Sequence, residues 1–294
     1  MKKKNPTKFI LCSTVPVVVL MILFIIIPTL KAFRLSFTNS TGMSDNYKFV
    51  GLSNYKYMFQ DEMFILALKN TFKLMVVVPI IAVLLALIFA FILTQSKLKE
   101  KQIYRVIFFM PSIISLTVIG VVFVFIFSPT SGPLNSFLKS IGLSKMACTW
   151  LGSEKTALGC LATTLIWQCV GYYMVMHIAG IDGISSNIME AATIDGASQV
   201  KKMLFIILPL LKDIVGITYV LALSGTLVQS FTLSKVMTGG GPSGSTTVLL
   251  QYMHRQAFMN SNFGYAMAIA VFSLAISVLL SLMSRKVTGR EDVE

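Results

Sequence analysis

Charged side chains are scarce in this sequence. Only 13% of its 294 residues are Asp, Glu, Lys or Arg, whereas 55% are hydrophobic and the mean hydropathy is +0.78. A typical soluble domain is about 25% charged. The shortage excludes an ordinary water-soluble globular protein and predicts a chain that folds in lipid.

Acidic residues are the scarcest of the charges. The chain has 12 of them against 25 Lys and Arg, which gives a net charge of +13. Proteins that bind nucleic acid gather their basic residues on a solvated face beside aromatic side chains, but here the basic residues lie between apolar runs. The charge therefore indicates membrane topology, and no nucleic-acid partner is predicted.

Patterns that bind metals or catalyse reactions are missing as well. The four cysteines form no C-x-x-C pair, the two histidines form no H-E-x-x-H motif, and no apolar stretch contains a pair of carboxylates. The sequence also lacks the G-x-x-x-x-G-K-[ST] motif that cradles nucleotide phosphates. We therefore predict no metal site, no disulfide framework and no enzymatic activity in this chain.

Apolar stretches long enough to cross a membrane occur six times. A helix needs about 20 apolar residues to cross about 30 Å of hydrocarbon. None of the six stretches contains Asp, Glu, Lys or Arg, as expected where a buried charge is strongly unfavourable. The pattern predicts an all-α integral membrane protein. The predicted spans are residues 9–30, 74–93, 106–127, 156–181, 214–234 and 263–283.

Basic residues predict the side of the membrane on which each loop lies. One set of connecting segments and tails holds 13 Lys or Arg in 53 positions, whereas the opposite set holds 11 in 99. Because Lys and Arg are retained in cytoplasmic segments, both termini are predicted to be cytoplasmic. The predicted organisation is a cytoplasmic tail (1–8), a transmembrane domain (9–283) and a second cytoplasmic tail (284–294). The basic set comprises residues 1–9, 95–105, 182–203 and 284–294.

The segment between the fourth and fifth spans has the pattern of a helical hairpin. Asn187 and Glu190 have the spacing of a capping box, so a short helix is predicted to begin directly after Asn187. Gly196 can take the left-handed conformation that ends a helix, and Ser198 can cap a second helix that runs toward Pro209. We expect the exposed side of the first helix to present small and acidic residues suited to docking. These are Glu190, Ala191, Ala192 and Asp195.

This hairpin resembles the EAA signature of permeases of ATP-binding-cassette (ABC) importers. The matching positions are Glu190, Ala191, Ala192, Gly196, Ile206, Leu208 and Pro209. The resemblance implies a type I importer permease with six transmembrane helices, in which residues 187–209 form a cytoplasmic EAA coupling hairpin. It also implies three kinds of partner: a second permease subunit, a dimer of ATPase subunits that bind ATP and Mg, and an extracytoplasmic binding protein. The implied ATPase-docking residues are Glu190, Ala191, Ala192, Asp195 and Gly196.

Further stretches resemble the carbohydrate-uptake permeases that are similar to the larger maltose-permease subunit. They are FVGLSNYKYM from residue 49, ALKNT from residue 67, YRVIFFMP from residue 104, the group Trp167, Gly171, Ala179 and Gly180, and the TGGGP loop at residues 238–242 with Ser245 and Thr246. The resemblance implies sugar cargo and a bacterial or archaeal cell membrane. The chain departs from the family at Ser185, where a proline is usual, and at Thr232, where an acidic residue is frequent. The TGGGP loop is either a flexible external turn or a contact for the substrate-delivering protein.

Polar and aromatic side chains inside the fourth and fifth spans are candidates for sugar binding. Polar groups in lipid need partners, so they either line a cavity or hold helices together. These spans offer no charge for an ionic cargo or an ion-coupled mechanism, which disfavours a secondary transporter. An ABC permease for another cargo, such as glycerol-phosphate or a polyamine, is the alternative. The candidates are Trp167, Gln168, Tyr172, Tyr173, Thr226, Gln229, Ser230 and Thr232.

Overall fold

A computed structural model describes residues 6–44, 46–95 and 99–287 of the chain. The regular elements of these residues are helices, and an isolated bridge pairs Thr38 with Phe49, so the predicted all-α fold is confirmed. The α-helices are α1 (Pro6–Met21), α2 (Ile27–Ser36), α3 (Ser53–Met58), α4 (Glu62–Gln95), α5 (Lys101–Ile113), α6 (Leu116–Ile126), α7 (Pro133–Ser140), α8 (Ala157–Asp182), α9 (Ser186–Ile194), α10 (Gln199–Lys202), α11 (Leu208–Leu210), α12 (Lys212–Met237), α13 (Leu249–Phe258) and α14 (Phe263–Val287).

Five helices of the described chain are long and apolar enough to cross a membrane. They are the stretch Leu11–Ser36, in which a π-helical turn (Ile22–Ile26) joins α1 to α2, together with α4, α8, α12 and α14. The helices α5 and α6 make a sixth crossing if the two are counted as one span. Helices therefore cover all six stretches that hydropathy selects.

The third predicted span is not one straight helix. Its two halves, α5 and α6, are bent by 100° relative to each other. The break lies at Ile114 and Ser115, whose ψ angles of 140° and 130° are extended. Pro111 in the last turn of α5 has no backbone N–H, which weakens the helix just before the break.

The described residues divide into two compact units. The first comprises residues 6–62 and 253–275. In this unit the Tyr265 hydroxyl donates a 2.7 Å hydrogen bond to the carboxylate of Asp61, and the ring of Tyr57 packs edge-on against that of Tyr265. The start of α14 is thereby fixed to the segment that precedes α4.

The second unit comprises residues 63–252 and 276–287, and it contains α8 together with the helices that pack on it, α5, α6 and α12. Two hydrophobic clusters formed by α4, α8 and their neighbours make up most of its core. His177 of α8 is fully buried, with Nε2 3.0 Å from the Thr218 hydroxyl of α12. The fourth and fifth predicted spans are therefore held side by side.

Candidate functional site

The first helix of the hairpin, α9, begins earlier than predicted. It starts at Ser186 with Ser185 at the N-cap position, so the capping box predicted for Asn187 and Glu190 is wrong. Ile184 and Met189, the residues before the cap and at the fourth helical position, both pack against the hydrophobic core. This hydrophobic-staple arrangement sets the start of the helix by tertiary burial.

The end of α9 follows the prediction. Gly196 has a φ of +72°, the left-handed conformation that glycine adopts readily. The amide of Gly196 donates to the Thr193 carbonyl (3.1 Å) and that of Ala197 to the Ala192 carbonyl (2.9 Å), which together form a Schellman motif. Ser198 then caps α10 by accepting a hydrogen bond from the amide of Lys201 at 3.4 Å. The chain therefore makes the predicted helix, turn and helix.

The exposed side of α9 differs from the expected one at two residues. Ala192 is buried inside the chain, so the expectation that it is exposed is wrong, whereas Glu190, Ala191 and Asp195 are exposed. The ATPase-docking role of these residues stays a prediction. Ala192 turns inward because it lies three residues after Met189 and so shares the core-facing side of the helix. Ile194, which was not among the docking candidates, is 86% exposed. The exposed surface therefore combines acidic residues with two large apolar side chains, Ile194 and the 42% exposed Ile188.

The second half of the hairpin is anchored in the core. After α10 the chain continues through a π-helical segment (Met203–Ile207) and α11 into α12. Ile207 and Leu211 are at most 1% exposed and belong to the same hydrophobic cluster as Met174 of α8. The sequence signature marks Ile206, Leu208 and Pro209 but misses these two buried residues, although their spacing of four is a helical core signal.

Four of the eight cargo-binding candidates lie inside the chain. Thr226 and Ser230 donate their hydroxyl hydrogens to carbonyls of their own helix, at 2.7 and 3.0 Å. Gln168 and Tyr173 are also buried. Burial and internal hydrogen bonds favour a helix-packing role for Thr226 and Ser230, which is the alternative to lining a cavity.

The other four candidates reach the surface of the chain. Trp167 and Tyr172 of α8 are 43% and 45% exposed, and Gln229 and Thr232 of α12 are partly exposed. The Trp167 ring packs against Phe123 of α6, with ring centroids 5.2 Å apart. Phe123 was not predicted to support the site, because a phenylalanine in an apolar run carries no local signal of such a role.

The glycine-rich loop after α12 is tied to the helices around it. Thr246 and Thr247 are fully buried. The Ser234 hydroxyl donates to the carbonyl of Thr246 at 2.6 Å, and the Asn70 amide of α4 donates to that of Thr247 at 3.1 Å. The loop also lines a cavity of about 580 Å³ beside the end of α6. The loop is therefore anchored at Thr246 and Thr247, and both interpretations of residues 238–242, a flexible turn and a contact with a delivering protein, stay predictions.

Comparison with known proteins gives a consistent family. Residues 82–290 match the family described as "binding-protein-dependent transport system inner membrane component". The chain is 36% identical over 275 residues to the probable ABC transporter permease protein YurN of Bacillus subtilis, covering 92% of this chain and 94% of the relative. It is 32% identical over 298 residues to the diacetylchitobiose uptake system permease protein NgcF of Streptomyces coelicolor, covering 97% and 84%.

Two further comparisons extend the likeness. The multiple sugar-binding transport system permease protein MsmF of Streptococcus mutans is 30% identical over 275 residues, which is 94% of this chain and 93% of the relative. A chain of a bacterial ABC transporter involved in the import of the acidic polysaccharide alginate superposes with a TM-score of 0.84, covering 99% of both chains at 21% identity. The superposition shows that the two chains share a fold.

Proposed function

The chain belongs to the family of binding-protein-dependent transport system inner membrane components, and from that premise we propose that it is the permease subunit of a sugar-importing ABC transporter. It forms half of the translocation path and pairs with a second, related permease. An extracytoplasmic binding protein delivers a sugar or oligosaccharide to the path. A dimer of ATPase subunits, which bind the ATP and Mg, drives the cycle from the cytoplasmic side, and this chain has no catalytic role.

The hairpin is the observation that carries the coupling role. Its exposed Glu190 and Ala191 stand at signature positions beside the exposed Asp195, and Gly196 ends α9 in the left-handed conformation. Ile207 and Leu211 connect the hairpin to the buried core of α8. An exposed helix that continues into the transmembrane core is suited to carry a movement of the ATPase subunits into the path. This role requires the hairpin and both termini to be cytoplasmic, as the distribution of basic residues predicts.

The relatives and the candidate path residues support sugar as the cargo. NgcF and MsmF are named for the uptake of diacetylchitobiose and of multiple sugars. The exposed Trp167 and Tyr172 rings can stack on the apolar C–H faces of a sugar, and the Gln229 amide and Thr232 hydroxyl can hydrogen-bond its hydroxyl groups.

Reconstitution tests this function directly. The chain, its partner permease, the ATPase subunits and the binding protein are assembled in proteoliposomes, and uptake of a labelled sugar panel is measured with ATP inside the vesicles. Glycerol-phosphate, polyamines and amino acids serve as control cargoes. We expect ATP-dependent uptake of at least one sugar that the binding protein retains. Uptake confined to a control cargo would contradict the sugar assignment.

Trp167→Ala tests the cargo site. Loss of a stacking ring should weaken sugar contact by about 1.5 kcal/mol, which corresponds to about a tenfold fall in the uptake kcat/KM. Trp167→Phe keeps an aromatic face and should stay within about threefold of wild type. Phe125→Ala removes an exposed ring of α6 that is not a cargo candidate and should leave uptake unchanged. Equal uptake by Trp167→Ala and Phe125→Ala would show that Trp167 does not contact the sugar.

Ile194→Asp tests the apolar part of the docking surface. Burying an isoleucine side chain contributes about 2 kcal/mol, so its replacement by a carboxylate should weaken ATPase binding by at least about 30-fold. The measurement is the dissociation constant of the ATPase subunit for the permease pair in nanodiscs. Ile141→Asp, which changes a 51% exposed isoleucine after α7, is the control and should bind normally. If Ile194→Asp binds equally well, Ile194 lies outside the ATPase interface.

A further inference from the structure

A lysine is buried within the hairpin. Lys202, the last residue of α10, is only 6% exposed, whereas the neighbouring Lys201 is exposed. Burying an ammonium group is unfavourable unless it is hydrogen-bonded. The Lys202 ammonium donates a 2.6 Å hydrogen bond to the hydroxyl of Thr193 in α9. A lysine in a segment of this kind is ordinarily solvated, so this burial indicates a specific contact between the two helices.

The contact continues into the backbone of α9. The Thr193 hydroxyl donates in turn to the carbonyl of Met189 at 2.7 Å, so its oxygen is oriented to accept from Lys202. Thr193 also lies in the last turn of α9, where the exposed carbonyl groups of a helix favour a nearby cation. Met189 packs against the hydrophobic core. The chain of hydrogen bonds therefore runs from α10 through Thr193 to the core-packed side of α9.

The hydrogen bond between Lys202 and Thr193 lies where it can restrain the movement of α9 relative to α10. Between α9 and α10 the backbone passes through Gly196, whose Cβ position has no atom within 4 Å and whose conformation is left-handed. The backbone hydrogen bonds of Gly196 and Ala197 hold the end of α9, but the glycine adds no side-chain contact that would hold α10 against α9. The Lys202 to Thr193 hydrogen bond closes the hairpin across that turn. Lys202 also directly precedes the π-helical segment that leads through α11 to α12, which bears Gln229 and Thr232.

We propose that Lys202 is a positioning residue that locks α9 to α10, so that movement of the ATPase subunits against α9 is passed to α12 instead of being absorbed at Gly196. The inference rests on the proposed importer function. Without the lock, ATP hydrolysis continues but drives transport less often. The defining quantity is therefore the number of ATP molecules hydrolysed per sugar imported.

The test uses the complete reconstituted importer with four single variants and one double variant. Lys202→Met and Thr193→Val remove the charge or the hydroxyl at similar volume, and each should raise the ATP consumed per sugar about tenfold, the effect of losing a charge-assisted hydrogen bond. Thr193→Ser keeps the hydroxyl, and Lys201→Met removes the adjacent exposed charge; both should match wild type. The double variant of Lys202→Met with Thr193→Val should be no worse than either single change, because both remove one interaction.

The ratio of ATP hydrolysed to sugar imported distinguishes loss of the lock from a folding defect. A folding defect would lower the amount of assembled importer and reduce uptake and ATP hydrolysis together, leaving their ratio at the wild-type value. An unchanged ratio in both Lys202→Met and Thr193→Val would overturn the proposal. If the wild-type assembly itself shows no ATP-dependent sugar uptake, the proposed function fails first, and that result is seen before any variant is compared.

Discussion

A Gly196→Pro importer should assemble in the membrane and fail to transport. Proline holds φ near about −65°, whereas Gly196 has a φ of +72°. The substitution also removes the amide that donates to the Thr193 carbonyl. It also disfavours the conformation of the preceding Asp195, whose ψ is 2°, because a residue before proline favours extended backbone. We expect the substitution to destabilise the native conformation of the hairpin by about 3 kcal/mol. Because the proposed coupling requires that conformation, sugar uptake should fall about 100-fold.

The chain contains a matched control for this change. Gly142, after α7, has a φ of +80° and no atom within 4 Å of its Cβ position. It ends its helix with the same hydrogen bonds, from Gly142 to the Lys139 carbonyl and from Leu143 to the Leu138 carbonyl. Gly142→Pro therefore disrupts the same positive φ and the same amide hydrogen bond, but in a loop predicted to be extracytoplasmic. In this variant ATP hydrolysis should remain coupled to uptake. Equal loss in both variants, or normal uptake by Gly196→Pro, would contradict the coupling role of the hairpin.

The parts of the fold that sequence could predict are those that depend on local composition. Uncharged apolar runs give helices because a chain in lipid must satisfy its backbone hydrogen bonds internally. Pro79 illustrates the limit of local rules, since it lies inside the uninterrupted α4, whereas α5 ends soon after Pro111 and the chain bends by 100°. Both prolines remove one backbone donor, so the surrounding packing decides whether a helix continues.

In the candidate site, too, the sequence predicts the features set by local chemistry and misses those set by tertiary packing. The conformation of Gly196 and the cap at Ser198 follow from chemistry within the turn, so the sequence predicts both correctly. The start of α9 depends on the burial of Ile184 and Met189 against other helices, which outweighs the local capping signal at Asn187. Burial of a long cationic side chain such as that of Lys202 is likewise a tertiary result. Local rules would assign both Lys201 and Lys202 to solvent.

Gly171→Ala should strongly destabilise the chain although it adds only one methyl group. A Cβ built on Gly171 of α8 overlaps the backbone carbonyl of Phe108 in α5 and comes within 2.9 Å of the amide nitrogen of Phe109. Neither group is a flexible side chain that can move aside, so α5 and α8 must separate. Overpacking a core costs about 3 kcal/mol at its upper range, which should lower the melting temperature by about 6 to 12 °C.

Gly159 supplies the control on the same helix. Nothing lies within 4 Å of its Cβ position, and alanine favours a helix over glycine by about 1 kcal/mol. Gly159→Ala should therefore melt at or above the wild-type temperature, while Gly171→Ala melts well below it. The measurement is thermal unfolding of the purified permease in detergent, followed by loss of the monodisperse species on size exclusion. Two variants with the same melting temperature would show that α5 and α8 do not approach at Gly171. The α8 helix carries Trp167 and leads into the hairpin, so this close approach fixes the frame on which both candidate sites depend.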